Sequence, residues 1–528
     1  MSLQTNNQYM KGAFILTIAA FIVKILSAVY RVPYQNIVGD IGFYIYQQVY
    51  PIYGVGMILA TSGFPVIISK LAAEDGTGKR EYLAHRMQAA LITLLIVGIS
   101  LFCCFFFGAS LIAQWMGDAQ LTTLIKMTAF MFLLLPFLSI SRGYFQSTGD
   151  MLPTATSQVV EQTVRVFIIM GAAIILTRQG YSLYDVGTGA IAGSFIGGTI
   201  GVGILLGYML KRKMFSLLFM KGLSWKKFYT TAQIVLVHGA VFCLSGLVLI
   251  LFQFVDSFSI YSILTSSGIE IEKAKALKGI FDRGQPLIQL GTVVASSFSL
   301  ALVPIVTAAW IKGDEATIQI RTASALKITL VVAIGATMGL INIIKPTNIM
   351  LFANDQGSGV LSVLAIAILF SSLILICTGI LQALGYVLVV VKYILLGLGI
   401  KIIGNYIGVS LLGTMGASLS TVIGLAVMAT LFIRQLHKRV SLLATIKKIL
   451  PNVCLAALAM TIVLQAWLFL FSFLGDGRIY SAILSLSSVI LGACVYLLII
   501  LKSGCLTEEE LAFFPFSSKL NRLNSNRK

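Results

Sequence analysis

Ionisable side chains stand inside several of the long apolar stretches of this sequence. They comprise the cations Lys24, Arg31, Arg165, Arg283 and Lys401 and the acids Glu161, Asp256 and Asp282. A charge in the middle of a membrane span costs at least about 2.5–3.5 kcal/mol, so such residues are expected to face a cavity or a partner. Because the cations outnumber the acids, the pattern favours binding of an anion. Guanidinium groups in particular bind phosphate through paired hydrogen bonds.

Residues 279–286 are the most informative of these stretches. They read Gly-Ile-Phe-Asp-Arg-Gly-Gln-Pro, so glycine and proline interrupt an apolar run beside Asp282, Arg283 and Gln285. Broken helices at membrane depth are tolerated where they line a cavity. We therefore predict that these three polar residues contact a substrate. The alternative is that Arg283 pairs with Asp282 or Asp256.

Two further segments carry polar residues ahead of a proline. Residues 46–51 read Tyr-Gln-Gln-Val-Tyr-Pro, and we predict that Gln47 and Gln48 also contact the substrate. Lys24 and Arg31 are seven residues apart, which places them on one helix face. Pro33 is expected to stop or kink that helix. Both cations are predicted to bind substrate, with the alternative that Arg31 reaches outward to lipid headgroups.

Three other charged positions allow a structural or a functional interpretation. Glu161 and Arg165 are four residues apart and can pair within one helix. Together with Asp256 they are interpreted either as structural pairs or as sites of ion coupling. Lys401 has no evident partner on its own helix, so we expect it to face a cavity or another helix and to contact the substrate.

No motif for covalent catalysis or for a metal site is present. The three histidines are scattered, there is no phosphate-binding GxxxxGK[ST] loop, and no CxxC or Cys/His spacing occurs. The seven cysteines fall mostly inside apolar runs and are interpreted as small packing residues. The sequence therefore predicts a protein that is not an enzyme and that has no metal or cofactor.

The composition requires a membrane. Of the 528 residues, 58% are hydrophobic and only 11% are charged, whereas a soluble domain has about 25% charged residues. Unbroken apolar runs of about 20 residues predict transmembrane helices rather than a β-barrel. About fourteen spans are predicted, at 12–31, 41–69, 88–112, 121–141, 155–177, 187–210, 231–256, 278–309, 324–344, 359–384, 389–410, 413–433, 449–473 and 480–501.

The net charge of +19 is mainly a signal of orientation. Lysines and arginines cluster in the loops 70–87, 211–230 and 434–448 and in the C-terminal tail, which fall on one side of fourteen spans. By the positive-inside rule both termini are predicted to be cytoplasmic. Residues 270–278, with three lysines, are an exception on the outer side, or the eighth span begins earlier. The same distribution argues against nucleic-acid binding.

The sequence also contains an internal repeat. The pattern GxxQxxG occurs at residues 143–149 and 379–385, and the same offset of 236 residues relates Arg165 to Lys401. Because six spans separate the copies, the halves are predicted to run parallel, with the substrate site between them. The predicted division is 1–212 (spans one to six), 213–230 (a basic cytoplasmic linker), 231–434 (spans seven to twelve), 435–505 (spans thirteen and fourteen) and 506–528 (a cytoplasmic tail). Gly193, Gly197 and Gly201 indicate close helix packing.

The chain resembles a known superfamily of exporters over its length to about residue 505. Residues 31–53 (RVPYQNIVGDIGFYIYQQVYPIY) and 279–304 (GIFDRGQPLIQLGTVVASSFSLALVP) are similar to the polysaccharide-transport branch of the multidrug/oligosaccharidyl-lipid/polysaccharide exporters. That branch includes the stage V sporulation protein B type and is related to the MurJ-type lipid II flippases. The implied fold is an all-α polytopic membrane protein with two pseudo-symmetric six-helix lobes plus two C-terminal helices.

The resemblance implies a flippase for an undecaprenyl-pyrophosphate-linked saccharide, either lipid II or a polysaccharide repeat unit. Arg31 and Arg283 stand where arginines of the lipid II flippases hold the pyrophosphate, and Lys24 is a candidate to assist. Spans thirteen and fourteen are expected to shape a groove for the lipid tail. The first span departs from the family in having one lysine and one arginine instead of an arginine cluster.

Alternating access in a bacterial cytoplasmic membrane is thus the expected mechanism, with the lipid-linked saccharide and membrane lipids as partners and cell-wall synthesis proteins as candidate partners. A multidrug-type cation antiporter is one alternative, with Asp256, Glu161 and Asp282 as coupling carboxylates. A non-transporting scaffold for cell-wall enzymes is another.

Overall fold

The computed structural model describes residues 3–73, 80–215, 224–440, 442–471, 473, 475–507 and 510. It gives the backbone alone at 3–11, 13–14, 80, 245, 294, 296–301, 303–304 and 442–445. The described residues form helices and contain no β-strand. Residues 216–223 of the predicted linker and most of the predicted tail lie outside the described residues. The chain divides into two compact units, Met1–Asp282 and Arg283–Lys528.

The first unit contains eleven α-helices among its described residues. They are α1 (Leu3–Val29), α2 (Arg31–Ile58), α3 (Phe64–Ala73), α4 (Arg80–Phe107), α5 (Ala109–Trp115), α6 (Thr122–Ala129), α7 (Met131–Ser147), α8 (Leu152–Arg178), α9 (Leu183–Lys211), α10 (Trp225–Ser266) and α11 (Ile271–Asp282). A π-helical turn at Leu59–Gly63 joins α2 to α3, and a 3₁₀ turn at Ala119–Leu121 precedes α6.

The second unit contains nine α-helices among its described residues. They are α12 (Gly284–Gly291), α13 (Val293–Lys312), α14 (Glu315–Phe352), α15 (Ser358–Ala365), α16 (Ala367–Ala383), α17 (Val387–Leu412), α18 (Thr414–His437), α19 (Leu442–Phe471) and α20 (Arg478–Lys502).

Thirteen segments of the described chain are long and apolar enough to cross a membrane. Ile15–Ala73 takes in predicted spans one and two, whereas Trp225–Leu244 and Gly246–Ser266 are two parts of α10, predicted span seven. Predicted span eight, whose side chains are only partly described, is not among the thirteen. The all-α membrane fold, with close to fourteen spans, is therefore confirmed. The division into lobes, linker and tail stays a prediction, because the two units meet within span eight.

The first two spans are separated by two helix breaks. α1 ends at Val29. In a continuous helix the carbonyl oxygen of Val29 would accept a hydrogen bond from the N–H of residue 33, but that residue is Pro33, which has no N–H. Helical hydrogen bonds from Tyr30 N to Leu26 O (3.2 Å) and from Tyr34 N to Tyr30 O (3.0 Å) flank this kink. A second break lies at Gly39, where φ is 70° and ψ is −176°. Only glycine adopts this conformation readily.

The repeat predicted from GxxQxxG is visible in the backbone. Gly149, after α7, has φ of 74° and donates its N–H to Gln146 O at 3.1 Å. Gly385, after α16, has φ of 82° and donates to Gln382 O at 3.0 Å. A left-handed residue after a helix end satisfies carbonyl groups that the helix leaves open, so both copies end a helix by the same device.

The three glycines of α9 allow that helix to lie close to α8. A Cβ atom on Gly197 would stand 2.7 Å from the carbonyl oxygen of Glu161, and one on Gly193 would stand 2.9 Å from the side chain of Ile168. Their predicted role in close packing is therefore confirmed. α17 and α18 meet in a similar way, since a Cβ atom on Gly416 would overlap the backbone of Gly408.

Candidate anion-binding site

Predicted span eight is broken at the position of its charged residues. It consists of α11, α12 and α13, with Asp282 as the last residue of α11 and Arg283 between α11 and α12. Pro286 lies in the first turn of α12, where a proline needs no intrahelical donor. The interruption inferred from glycine and proline is thus present. It places Asp282 at the end of the first unit and Arg283 at the start of the second.

Arg283 is the first residue of the second unit and is fully buried. Its Nη1 donates hydrogen bonds to Asn354 Oδ1 at 2.7 Å and to Asn348 Oδ1 at 3.2 Å, and its guanidinium carbon lies 5.0 Å from the centre of the Phe352 ring. Asn348 is itself held in place, because its Nδ2 donates to Gln356 O and Ser358 Oγ. The end of α14 and the loop after it therefore orient the guanidinium with neutral amide oxygens.

Asp282 pairs with a cation that the sequence analysis did not single out. Lys278 Nζ lies 2.6 and 2.7 Å from the two carboxylate oxygens of Asp282, and both side chains are buried. Lys278 stands one helical turn before Asp282 on α11, so the i,i+4 spacing was the available signal. Asp282 also interacts electrostatically with Asp256 of α10 and with Arg31.

Arg31 lies in the first unit and is only 2% exposed. Its guanidinium carbon stands 4.3 Å from the centre of the Tyr50 ring, a cation–π distance. Its charge also interacts with the phenols of Tyr30 and Tyr46, and among the described residues its Nε has no hydrogen-bond partner. The alternative that Arg31 reaches lipid headgroups is therefore wrong, because the side chain is buried against Tyr50, a later residue of α2.

Several buried polar atoms of α2 have no hydrogen-bond partner in the described part of the chain. They are Tyr34 Oη, Gln35 Oε1, Gln47 Oε1 and Gln48 Oε1. Gln48 is fixed by its other amide atom, since its Nε2 donates to Ser257 O of α10 at 2.6 Å. Unpaired buried polar groups are uncommon and each calls for an explanation. Gly39 breaks the helix within this group, so Tyr34 and Gln35 lie with Arg31 before the break, whereas Gln47 and Gln48 lie after it.

Arg165 of α8 is saturated by neutral acceptors. Its Nε donates to Ser194 Oγ at 3.0 Å, its Nη1 donates to Tyr53 Oη at 2.9 Å and Gln162 Oε1 at 3.3 Å, and its Nη2 donates to Tyr30 Oη and Tyr46 Oη, both at 3.2 Å. Five N–H groups thus meet five oxygens. Tyr30, Tyr46 and Tyr53 thus form a tyrosine cage around Arg165, whose guanidinium carbon also lies 5.9 Å from the centre of the Tyr50 ring. These contacts favour the structural interpretation of Arg165, which stays a prediction.

The expected pair between Glu161 and Arg165 is wrong. Glu161 Oε2 instead accepts from Arg142 Nη2 of α7 at 2.6 Å, and both side chains are buried. Arg142 also donates to Ala60 O and Ser157 Oγ. Pairing across helices wins because Arg165 finds a complete set of acceptors elsewhere. In the sequence, the available signal for Arg142 was its position as a lone arginine directly before the first GxxQxxG motif.

The structure also describes the three remaining predicted residues, Lys24, Gln285 and Lys401. Lys401 of α17 is fully buried, and its Nζ donates to Thr421 Oγ1 at 2.5 Å and to Ala417 O at 3.2 Å, so it faces the neighbouring helix α18. Lys24 is half-buried on α1, and the described residues give it no ion pair. Gln285 is buried next to Arg283 in sequence. Substrate contact by these three side chains stays a prediction.

An apolar groove lies in the second unit, at α14, α19 and α20. Its volume is about 420 Å³, and its lining includes Gly335 and Gly339 of α14, Met460 and Leu464 of α19 and Gly492 of α20. The glycines leave room between the helices, and the lining is almost entirely apolar. Such a groove suits a hydrocarbon chain rather than a polar ligand. Within the described residues no group of three histidine, cysteine or acidic side chains could hold a metal ion.

The chain is similar to several bacterial membrane proteins. It is 42% identical to an uncharacterized membrane protein, YabM, of Bacillus subtilis (strain 168), covering 98% of this chain and 97% of the other. It is 26% identical to the lipid II flippase MurJ of the same organism, over 93% and 95%. It is 30% identical to that organism's stage V sporulation protein B, over 33% of this chain and 34% of the other.

A solved structure shares the fold. The inward closed conformation of the lipid II flippase MurJ matches with a TM-score of 0.68 at 16% identity, covering 92% of this chain and 98% of the other. The profile of the family described as polysaccharide biosynthesis protein matches residues 9–310, more than half of the chain. The resemblance inferred from residues 31–53 and 279–304 is thereby confirmed, and this chain belongs to the polysaccharide biosynthesis protein family.

Proposed function

We propose that the protein is a flippase that carries a polyprenyl-pyrophosphate-linked saccharide across the bacterial cytoplasmic membrane by alternating access. The observation that carries the proposal is the buried arginine at the break in span eight, Arg283, oriented by the amides of Asn348 and Asn354. A guanidinium oriented by neutral amides keeps its positive charge, and guanidinium groups bind phosphate through charge-assisted hydrogen bonds. Translocation needs no covalent step, and its energy would come from the membrane potential or an ion gradient.

The apolar groove supports a lipid-linked substrate. A polyprenyl chain must remain in an apolar environment while its headgroup crosses, and a groove of about 420 Å³ along α14, α19 and α20 offers such an environment. The names of two relatives, a lipid II flippase and a stage V sporulation protein, favour a saccharide destined for the cell wall or the spore. The specific substrate is lipid II or a related repeat unit.

Two of the three predicted coupling carboxylates are paired with cations, which disfavours the multidrug-type antiporter. That alternative requires carboxylates that are available to a cationic drug or a coupling ion. Glu161 is instead bonded to Arg142, and Asp282 is bonded to Lys278. Breaking either pair would leave a buried charge unpaired, which is strongly unfavourable.

The test is lipid analysis in cells that lack the gene. Lipid-linked saccharides are extracted and identified by mass spectrometry after complementation with the wild type, with Arg283→Gln, or with Arg178→Gln as an exposed control at the end of α8. The deletion strain should accumulate one lipid-linked saccharide, which the wild type and the control clear and Arg283→Gln does not. Absence of accumulation, or clearance by Arg283→Gln at the wild-type protein level, would contradict the proposal. Unchanged drug resistance in the Arg283→Gln strain would not by itself distinguish a flippase from an antiporter, so the lipid measurement is needed.

A further inference from the structure

A basic pocket lies in the first unit where α4 and α10 begin. Its lining includes Tyr82, His85 and Arg86 from α4 and Lys226, Lys227 and Thr230 from α10, and its volume is about 240 Å³. An adjoining cavity of about 150 Å³ shares Ile234 with it and extends to Lys70. These residues belong to the face that the positive-inside rule predicts to be cytoplasmic. None of them takes part in the candidate site around Arg31.

The two lysines stand at an electrostatically unfavourable position. Lys226 and Lys227 occupy the first turn of α10, which contains no acid, and the preceding Ser224 makes no side-chain cap. A helix N-terminus carries partial positive charge, so lysines there raise the local potential further. Both lysines are exposed, and the described residues give neither of them an ion pair. An anion bound at this point would relieve the repulsion.

His85 provides a second, independent sign of a ligand. It lines the basic pocket, is only 3% exposed, and its Nδ1 has no hydrogen-bond partner among the described residues. Its other ring nitrogen, Nε2, lies 3.6 Å from Glu81 Oε1. A distance of 3.6 Å is longer than a hydrogen bond, so the contact with Glu81 does not pair the imidazole. A buried ring nitrogen without a partner calls for an explanation, and an imidazole N–H can donate a hydrogen bond to an anion.

Arg86, a third basic residue of the pocket lining, is oriented by two contacts. Its guanidinium carbon lies 4.7 Å from the centre of the Tyr82 ring, and its Nη1 donates to Leu71 O at 3.2 Å. A stacked, hydrogen-bonded guanidinium loses less freedom on binding an anion than a mobile one. The pocket therefore combines a positioned arginine, an unpaired imidazole nitrogen and two lysines.

The exposed aromatic residues of α10 indicate the depth of the pocket. Trp225 and Tyr229 lie next to the pocket lysines in sequence and are 82% and 69% exposed. Tryptophan and tyrosine concentrate at the level of the lipid headgroups. Anions at that depth are mainly the phosphates of membrane lipids, and basic pockets between helices on the cytoplasmic side bind acidic headgroups.

We propose that the basic pocket of α4 and α10 binds the phosphate of an anionic glycerophospholipid. Lys226, Lys227 and Arg86 supply charge, and His85 supplies a directed hydrogen bond. The lipid remains in its own leaflet, so the site is independent of the proposed flippase activity and holds whichever substrate the protein carries.

The purified full-length protein in neutral detergent is incubated with equal amounts of phosphatidylglycerol and phosphatidylcholine that have the same acyl chains. Retained lipid is measured by native mass spectrometry for the wild type, for Lys226→Gln with Lys227→Gln, and for Lys447→Gln with Lys448→Gln. The last variant removes two exposed charges from α19 and is the matched control. Since one basic residue near an anionic surface contributes about fivefold, the pocket variant should bind phosphatidylglycerol roughly 25-fold more weakly. The control should bind as the wild type does.

Each other outcome overturns the proposal. Equal retention of the two lipids would show no preference for the anionic headgroup. Wild-type retention by the pocket variant would place the lipid elsewhere. Displacement of phosphatidylglycerol by an equal concentration of inorganic phosphate would identify a free-anion site. His85→Gln, a substitution that removes the unpaired nitrogen without changing the lysines, should also weaken retention severalfold, and no effect would count against the role of the imidazole.

Discussion

The buried ion pair between Arg142 of α7 and Glu161 of α8 gives a sharp prediction on stability. Arg142 Nη2 lies 2.6 Å from Glu161 Oε2, and neither side chain is reached by solvent. Removal of one partner of a buried pair leaves the other charge uncompensated, which costs about 3–5 kcal/mol. Because Arg142 keeps its bonds to Ser157 and Ala60, we expect Glu161→Gln to lower the free energy of unfolding by about 3 kcal/mol.

The assay is reversible unfolding in mixed micelles, carried out as a double-mutant cycle with Arg142→Gln. The double variant should be less destabilised than the two single variants add up to, with a coupling free energy of about 2 kcal/mol. Asp150→Asn is the control, because Asp150 pairs with Arg212 at a partly exposed position and such pairs contribute about 0–1 kcal/mol. Unchanged stability of Glu161→Gln together with lost transport would refute this reasoning and identify Glu161 as a coupling carboxylate.

Three further substitutions test packing and the lipid groove, with Gly203→Ala or Gly203→Leu as controls, since a Cβ atom on Gly203 meets nothing within 4 Å. Gly197→Ala should destabilise the protein by about 1–3 kcal/mol in the same unfolding assay, because the new methyl group is overpacked against the backbone of α8. Gly279→Ala should destabilise it at least as much, because its Cβ would overlap the carbonyl oxygen of Asp40 where α11 crosses α2; wild-type stability would contradict that crossing. Gly339→Leu should fill the apolar groove and lower transport of the lipid-linked saccharide severalfold at normal protein levels. Transport at the wild-type rate would show that the groove does not hold the lipid tail.

The helices and the break in span eight could be predicted because they follow from local patterns. Runs of about 20 apolar residues predict spans, and Gly284 with Pro286 predicts an interruption beside Arg283. The glycine stripe of α9 likewise indicates close packing without knowledge of the partner helix. In each case the physical cause lies within a few residues of the effect.

The partners of the buried charges could not be predicted in the same way. Glu161 has a cation four residues away on its own helix, yet it pairs with Arg142, which is nineteen residues earlier in the chain. Lys278 stands at the predicted start of span eight, with the alternative that the span begins earlier, and α11 in fact begins at Ile271, in agreement with that alternative. Pairing depends on which faces of neighbouring helices meet, and that is a property of tertiary packing.

The tyrosines of the cage and their neighbours have a regular spacing in the sequence. Tyr46, Tyr50 and Tyr53 are spaced four and three residues apart, and Tyr30 and Tyr34 are four apart, so each set lies on one helix face. Aromatic residues at this spacing are usually core residues, and only the structure shows that the hydroxyl groups of Tyr30, Tyr46 and Tyr53 accept hydrogen bonds from Arg165.

The central claim is that Arg283 binds the diphosphate of a lipid-linked saccharide. The most direct measurement is the dissociation constant of the purified protein for an undecaprenyl-pyrophosphate-linked saccharide and for a neutral analogue without phosphate, in the wild type, Arg283→Gln and Arg178→Gln. Charge-assisted hydrogen bonds contribute about 1.5–3 kcal/mol, so Arg283→Gln should weaken binding of the diphosphate lipid by at least about tenfold. Arg283→Gln should leave the dissociation constant for the neutral analogue unchanged. Arg178→Gln should change the dissociation constant of neither ligand. Equal affinity of wild type and Arg283→Gln for the diphosphate lipid would contradict the account.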